Sequence, residues 1–120
     1  SLDGGLGIDT LRLDAAISLD FSSVDNIKLQ SIERIDLTAD GGNSQVTMNL
    51  TDVLNLSENS NVLSVFGDTG DMVNLSNTSN GQSGSWSFTN TGGVDSYVFN
   101  SGGDVLATVL IDDVVTTTVI

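Results

Sequence analysis

Residues 31–77 read SIERIDLTADGGNSQVTMNLTDVLNLSENSNVLSVFGDTGDMVNLSN. Short runs alternate apolar with polar residues and stop at clusters of Gly, Asn, Asp and Ser, which is the period-two signature of half-buried strands. The runs also recur. RIDL (34–37) is followed after about 28 residues by VLSV (62–65), and VTMNL (46–50) at a similar interval by MVNL (72–75). That order suits a chain that winds, stacking each coil on the one before. Between the coils, TDVLNLSENS (51–60) is the one helical stretch, with Thr51 or Asp52 as its cap and Val53, Leu54 and Leu56 turned inward.

Working outward, the same alternation predicts strands at 10–15, 17–22, 34–39, 45–50, 61–67, 72–77, 85–90, 96–101, 105–111 and 114–120. No proline occurs in the chain, so bends fall to Gly, Asn and Asp, which tolerate positive φ or bond to local backbone. Links are long and acidic up to residue 77 and short afterwards. Asn80-Gly81, NTGGVD (90–95) and SGGD (101–104) are hairpin signals, and they predict an antiparallel meander over 78–120. The expected fold is all-β in one domain, 1–120. A terminal turn and first strand (1–15) lead into coiled strands (16–77) of parallel, solenoid-like or β-roll-like winding, which grades into the C-terminal antiparallel hairpins. An antiparallel β-sandwich is the alternative, because ten short strands with turn signals suit it as well.

The charge narrows the partners. Sixteen acidic residues stand against Arg12, Lys28 and Arg34, for a net charge of −13. A polyanion such as nucleic acid would be repelled, and so would an anionic membrane surface. Bound divalent cations would relieve the self-repulsion, and calcium, which takes oxygen ligands, is the natural candidate. The apolar 38% of residues argues for a core rather than disorder. There is no Cys and no His, which removes disulfides, thiolate or imidazole metal sites and the usual nucleophile pairs. Carboxylate pairs are inevitable among sixteen acids and single out no enzyme, so no catalysis is expected. No apolar run approaches the roughly 20 residues of a membrane span. The chain opens at Ser1 as if cut from something longer.

GGLGIDTL, Gly4 to Leu11, fits G-G-x-G-x-D-x-U-x, a calcium-binding nonapeptide. Its glycines allow a tight turn that presents carbonyls, Asp9 supplies a carboxylate, and Leu11 plugs the strand into the core. One turn supplies only half a cage. Asp3, just before the motif, is placed to cap the turn or reach the ion. GDTGDMVNL (67–75) echoes the pattern, with Asp68 and Asp71 as candidate ligands; the alternative is a solvated turn. Elsewhere Glu33, Arg34 and Asp36 alternate faces and read as a solvated or salt-bridged surface.

Taken in order, these motifs resemble a segment that recurs in large RTX adhesins exported by type I secretion. DGGLGIDTLRLDAA comes first, then the 31–77 stretch, then a Trp strand and a Tyr strand, across nearly the whole chain. The resemblance implies a calcium-binding module at the bacterial cell surface or outside the cell, between neighbouring domains of a longer adhesin used for attachment and biofilm formation. By position, Asp9 and the carbonyls of Gly5 and Gly7 match the nonapeptide's ligands. Catalytic motifs of RTX proteases and lipases are missing.

Trp86 shares a strand face with Phe88, and Tyr97 with Phe99. An exposed platform of Trp86 and Tyr97 would bind a sugar ring, making surface glycans a second class of partner. A small core or end cap is favoured instead, because aromatic side chains carry much of the burial in a small domain.

Overall fold

The computed structural model describes residues 2, 3, 5, 7–13, 16–21, 29–38, 42–57, 60–78 and 83–120. In chain order the elements are β1 (Leu2–Asp3), β2 (Thr10–Arg12), β3 (Ser18–Asp20), β4 (Leu29–Gln30), β5 (Arg34–Asp36), β6 (Gln45–Asn49), α1 (Leu50–Leu56), β7 (Val62–Phe66), β8 (Met72–Ser76), β9 (Ser85–Thr91), β10 (Val94–Ser101), β11 (Asp104–Asp112) and β12 (Thr116–Val119). They form a six-stranded sheet in the order β2-β5-β7-β11-β10-β9, a four-stranded sheet in the order β12-β8-β6-β3, and the small parallel pair β1-β4. The fold is mostly β, with parallel and antiparallel pairing both present.

Four times the chain lays one strand in the six-stranded sheet and the next in the four-stranded one: β2 then β3, β5 then β6, β7 then β8, β11 then β12. All these strands pair in parallel with their neighbours of the adjoining passes. The registers place like residues in columns. Leu11, Ile35, Val65 and Ile111 stand side by side in the first sheet, as do Val46 and Val73, and Met48 and Leu75, in the second. Ile35, Ile111, Val46, Val73, Met48 and Leu75 are fully buried, and both inner faces merge into one core. Each such side chain contributes about 1.5–3 kcal/mol.

The recurring runs do stack, but in the first sheet two residues beyond the interval of about 28 read from the sequence, since Arg34 lies opposite Ser64 rather than Val62. Gln45 lies opposite Met72 and Val46 opposite Val73, and in the first sheet Ile35 lies opposite Val65. The hairpins are also present, with β9-β10 and β10-β11 the antiparallel pairs. Gly92-Gly93 and Gly102-Gly103 make their turns, all four at positive φ.

The predicted meander is corrected at its end. Strand 114–120 does not fold back on β11: a turn at 113–115 carries it across the core, where β12 pairs in parallel with β8. Val115 is buried at that corner. The antiparallel sandwich is corrected in the same way, since two sheets do pack face to face but most of their pairs are parallel. Within predicted strands 10–15 and 17–22 the described strand residues are those of β2 and β3, followed by buried Leu13 and Phe21, and residues 14, 15 and 22 lie outside the described residues. The Asn80-Gly81 turn lies outside the described residues. The pair β1-β4 was not foreseen, since two residues are too few to show a period.

Helix α1 returns the chain from the second sheet to the first. Its cap is neither Thr51 nor Asp52 but Asn49, whose side chain accepts the Asp52 N–H at 2.9 Å while Asp52 Oδ2 accepts the Asn49 N–H at 3.0 Å. This reciprocal capping box frees Asp52 to begin the helix as its third residue. Val53 and Leu56 are buried and Leu54 partly so, as expected, and Ile32 donates its N–H to the Leu56 carbonyl.

Candidate functional site

The opening motif is built around two glycines at positive φ, Gly5 at 78° and Gly7 at 92°, a conformation that costs a side-chain-bearing residue but not glycine. Asp9 follows, just before β2. Its N–H donates to Glu33 Oε2 at 2.9 Å, and its carbonyl accepts the N–H groups of Glu33 and Arg34, both at 3.1 Å. The backbone of Asp9 is thus tied to the pass that begins at β5.

Its side chain is treated differently. Asp9 Oδ2 is buried and accepts no hydrogen bond. A carboxylate oxygen withdrawn from water without a donor is costly, and nearly all such atoms in folded proteins find a partner. Glu33 brings a second carboxylate to the backbone of the same turn, through its bond to the Asp9 N–H. The Asp9 and Glu33 side chains offer oxygens, the ligand type calcium takes. Gly7, Glu33 and Arg34, with Ile8, Ser60, Val62 and Ser64, line an open cleft of about 400 Å³ beside the turn.

Asp3 precedes the turn. Its backbone lies in β1, paired in parallel with Gln30 of β4. Glu33, in contrast, was missed. Read locally it belongs to a solvated alternating face; its place beside Asp9 depends on β2 pairing with β5, a contact across 24 residues. The signal available was the register of DTL against ERI, had the stacking been used to align them.

The second motif resolves into a structural turn. Asp71 is fully buried, with Oδ1 accepting the Ser44 N–H at 2.9 Å and Oδ2 the Asp68 N–H at 2.7 Å. Each of its oxygens accepts a backbone N–H, one of them from the preceding pass. The Ser44 carbonyl accepts the Met72 N–H, and the Asp71 carbonyl the Thr116 N–H, so the corner of each pass is fastened to the next. Gly67 is required here for space, since a Cβ would lie 2.5 Å from Val115 Cγ2. Asp68 is exposed at the rim of this turn. Asp71 thus acts as the staple of its corner. Asp9 and Asp68–Asp71 are separate places, and among the described residues no group of three or more Asp or Glu carboxylates gathers to hold one metal.

Burial decides the aromatic question for the cap. Trp86 is 5% exposed and Tyr97 6%. Trp86 donates Nε1–H to the Ser76 carbonyl at 3.0 Å and meets Phe99 edge-on at 5.3 Å. Tyr97 stacks on Phe88 at 5.2 Å, and burial raises its phenol pKa, offset in part by the nearby Thr117 hydroxyl. A sugar platform of Trp86 and Tyr97 is thereby corrected: both rings are closed off, and the exposed ring is Phe88, at 59%.

Among the described residues no helix is long and apolar enough to cross a membrane. Compared with protein-family models, curated proteins and solved structures, the chain matches none.

Proposed function

We propose that this chain is a calcium-stabilised structural or adhesive module of a large secreted RTX-type adhesin, a solenoid-like winding of two sheets closed at one side by a hairpin. The observation that carries the reading is the buried, unpartnered Oδ2 of Asp9, in a glycine turn matching the nonapeptide and beside the Glu33 carboxylate. In this reading Asp9, Glu33 and the carbonyls of Gly5 and Gly7 supply oxygens to the ion, and Asp68, with Asp71, belongs to a separate second turn. The RTX resemblance supplies the setting: export by type I secretion, a place outside the cell or on its surface, and neighbouring domains of a longer adhesin on either side. No catalysis is assigned to the module.

The physical mechanism is coupling of ion binding to folding. Where calcium is scarce, the chain's charge of −13 opposes compaction and keeps it suited to export. Where calcium is plentiful, binding to the folded form alone adds stability, by about 2.7 kcal/mol at one hundred times the dissociation constant. A glycan-binding role through Trp86 and Tyr97 draws no support from their burial.

Calorimetry tests the proposal. Calcium should raise the melting temperature, excess EDTA should lower it, and magnesium at equal ionic strength should not replace calcium. The response should vanish in Asp9→Asn and shrink in Glu33→Gln. A melting temperature indifferent to EDTA and calcium would overturn the calcium mechanism.

A further inference from the structure

The two sheets differ in width. Strands β3, β6, β8 and β12 lie across the core from β2, β5, β7 and β11, but β10 and β9 extend the first sheet by two strands with no counterpart among the described strands of the second. Beneath that overhang runs the outer edge of β12. Thr116 and Ile120 donate their N–H groups toward the β8 side, to the carbonyls of Asp71 at 3.0 Å and Leu75 at 2.9 Å. By the alternation of a parallel ladder, Thr117 and Val119 turn their backbone groups the other way, where no described strand pairs with them.

We propose that this edge of β12, roofed by the inner faces of β10 and β9, binds an extended peptide segment of another protein as a fifth strand of the second sheet. Three features support this beyond the open edge. First, residues 114–120 read VVTTTVI: every one is β-branched, none is charged, and none is proline. Edge strands are normally guarded by charge, proline or a bulge, and this one has no such guard in a chain otherwise dense in carboxylates. Second, apolar surface waits in the slot. Phe88 is 59% exposed although it lies on the same face as buried Trp86, and Val119 is 38% exposed although its register neighbour Leu75 is fully buried. A strand beside β12 would cover both.

Third, shape and charge select the guest. A second copy would pair β12 with β12 antiparallel about a two-fold axis normal to the sheet. That places the other copy's β11 and β7 where this copy's β10 and β9 already lie, so the overhang excludes it and admits only a guest one layer thick. Charge is graded along the slot. Asp95, on the same face as Tyr97, and exposed Asp113 lie at the end where β12 begins, whereas Trp86, bonded to Ser76, closes the other end. The matching guest alternates apolar and polar residues and carries a basic residue at the end nearest Asp95 and Asp113. Main-chain bonds to Thr117 and Val119 would supply affinity, and alternate side chains against Phe88 would supply selectivity.

The probe is an acetylated peptide KTVTVTV labelled at its C-terminus, titrated with the whole chain and read by fluorescence anisotropy. Saturable binding is expected. It should weaken by at least about tenfold for KTVPVTV, which loses a strand donor, for ETVTVTV, which reverses the charge, and for the Phe88→Asp protein. Because the peptide changes leave the protein untouched, the result does not depend on the variant's folding. No saturable binding, equal binding of the proline peptide, or a concentration-dependent dimer that excludes the peptide would each overturn the proposal.

Discussion

Asp71 and Asp9 are the same residue type in similar glycine turns, yet the chain uses them in opposite ways. Asp71 has both oxygens filled by backbone N–H groups, and Asp9 has one buried oxygen with none. Asp71→Asn should therefore destabilise regardless of calcium, because its NH2 must face the N–H of either Ser44 or Asp68; a buried donor left unsatisfied costs about 1–3 kcal/mol. Urea unfolding with calcium and with EDTA should give the same loss. Asp9→Asn should do the reverse, with little change in EDTA and a loss of the calcium increment. Gly67→Ala should cost about 1–3 kcal/mol by overpacking against Val115 and Asp71. At the surface, the Thr38 hydroxyl and then its N–H hold the Asp36 carboxyl below its usual range, so Thr38→Ala should move the Asp36 titration upward by NMR.

At the scale of the element, α1 shows how tertiary contacts alter a local rule. Thr51 and Asp52 have capping chemistry, but Asn49, the last residue of β6, is the one with extended backbone at the point where the chain leaves the sheet. Asn49→Ala should cost about 1 kcal/mol, measured by chemical unfolding. Asp52 is buried, and its carboxyl pKa is raised, first by desolvation and then by the charge of Asp20, against the Asn49 N–H that lowers it. A carboxyl whose folded pKa is raised binds its proton more tightly in the native state. Its contribution to stability is therefore best below the ordinary value of 3.8 and falls as pH climbs through the window above that value. Asp52→Asn keeps an acceptor for Asn49 and removes the charge, so the variant should gain melting temperature relative to wild type at pH 7 and lose that advantage near pH 3. A difference independent of pH would show that its charge is not the cause.

For the whole molecule, charge and stacking act against each other. Thirteen excess negative charges repel across a fold with a radius of gyration of 13.3 Å, while the stacked apolar columns draw the passes together. Raising sodium chloride from about 0.01 to about 0.5 M shortens the Debye length from roughly 30 Å to a few ångströms and should raise the melting temperature. Calcium at matched ionic strength should add a further increment if it occupies a site rather than merely screening.

Alternation of apolar and polar residues, the recurrence of RIDL in VLSV and of VTMNL in MVNL, and the paired glycines of the hairpins were sufficient to read strands, stacked passes and antiparallel turns. These are local or periodic properties, set by side-chain direction and turn geometry along the chain itself. The sequence also determined the charge, the absence of His and Cys, and the glycine turn around Asp9. Only the tertiary structure decided which residues meet across passes. It set Glu33 beside Asp9, spent Asp71 on the backbone of Ser44, buried Trp86 and Tyr97, and sent β12 across the core to β8. Each of these depends on register between segments far apart in the chain, where a shift of one residue turns every side chain to the other face.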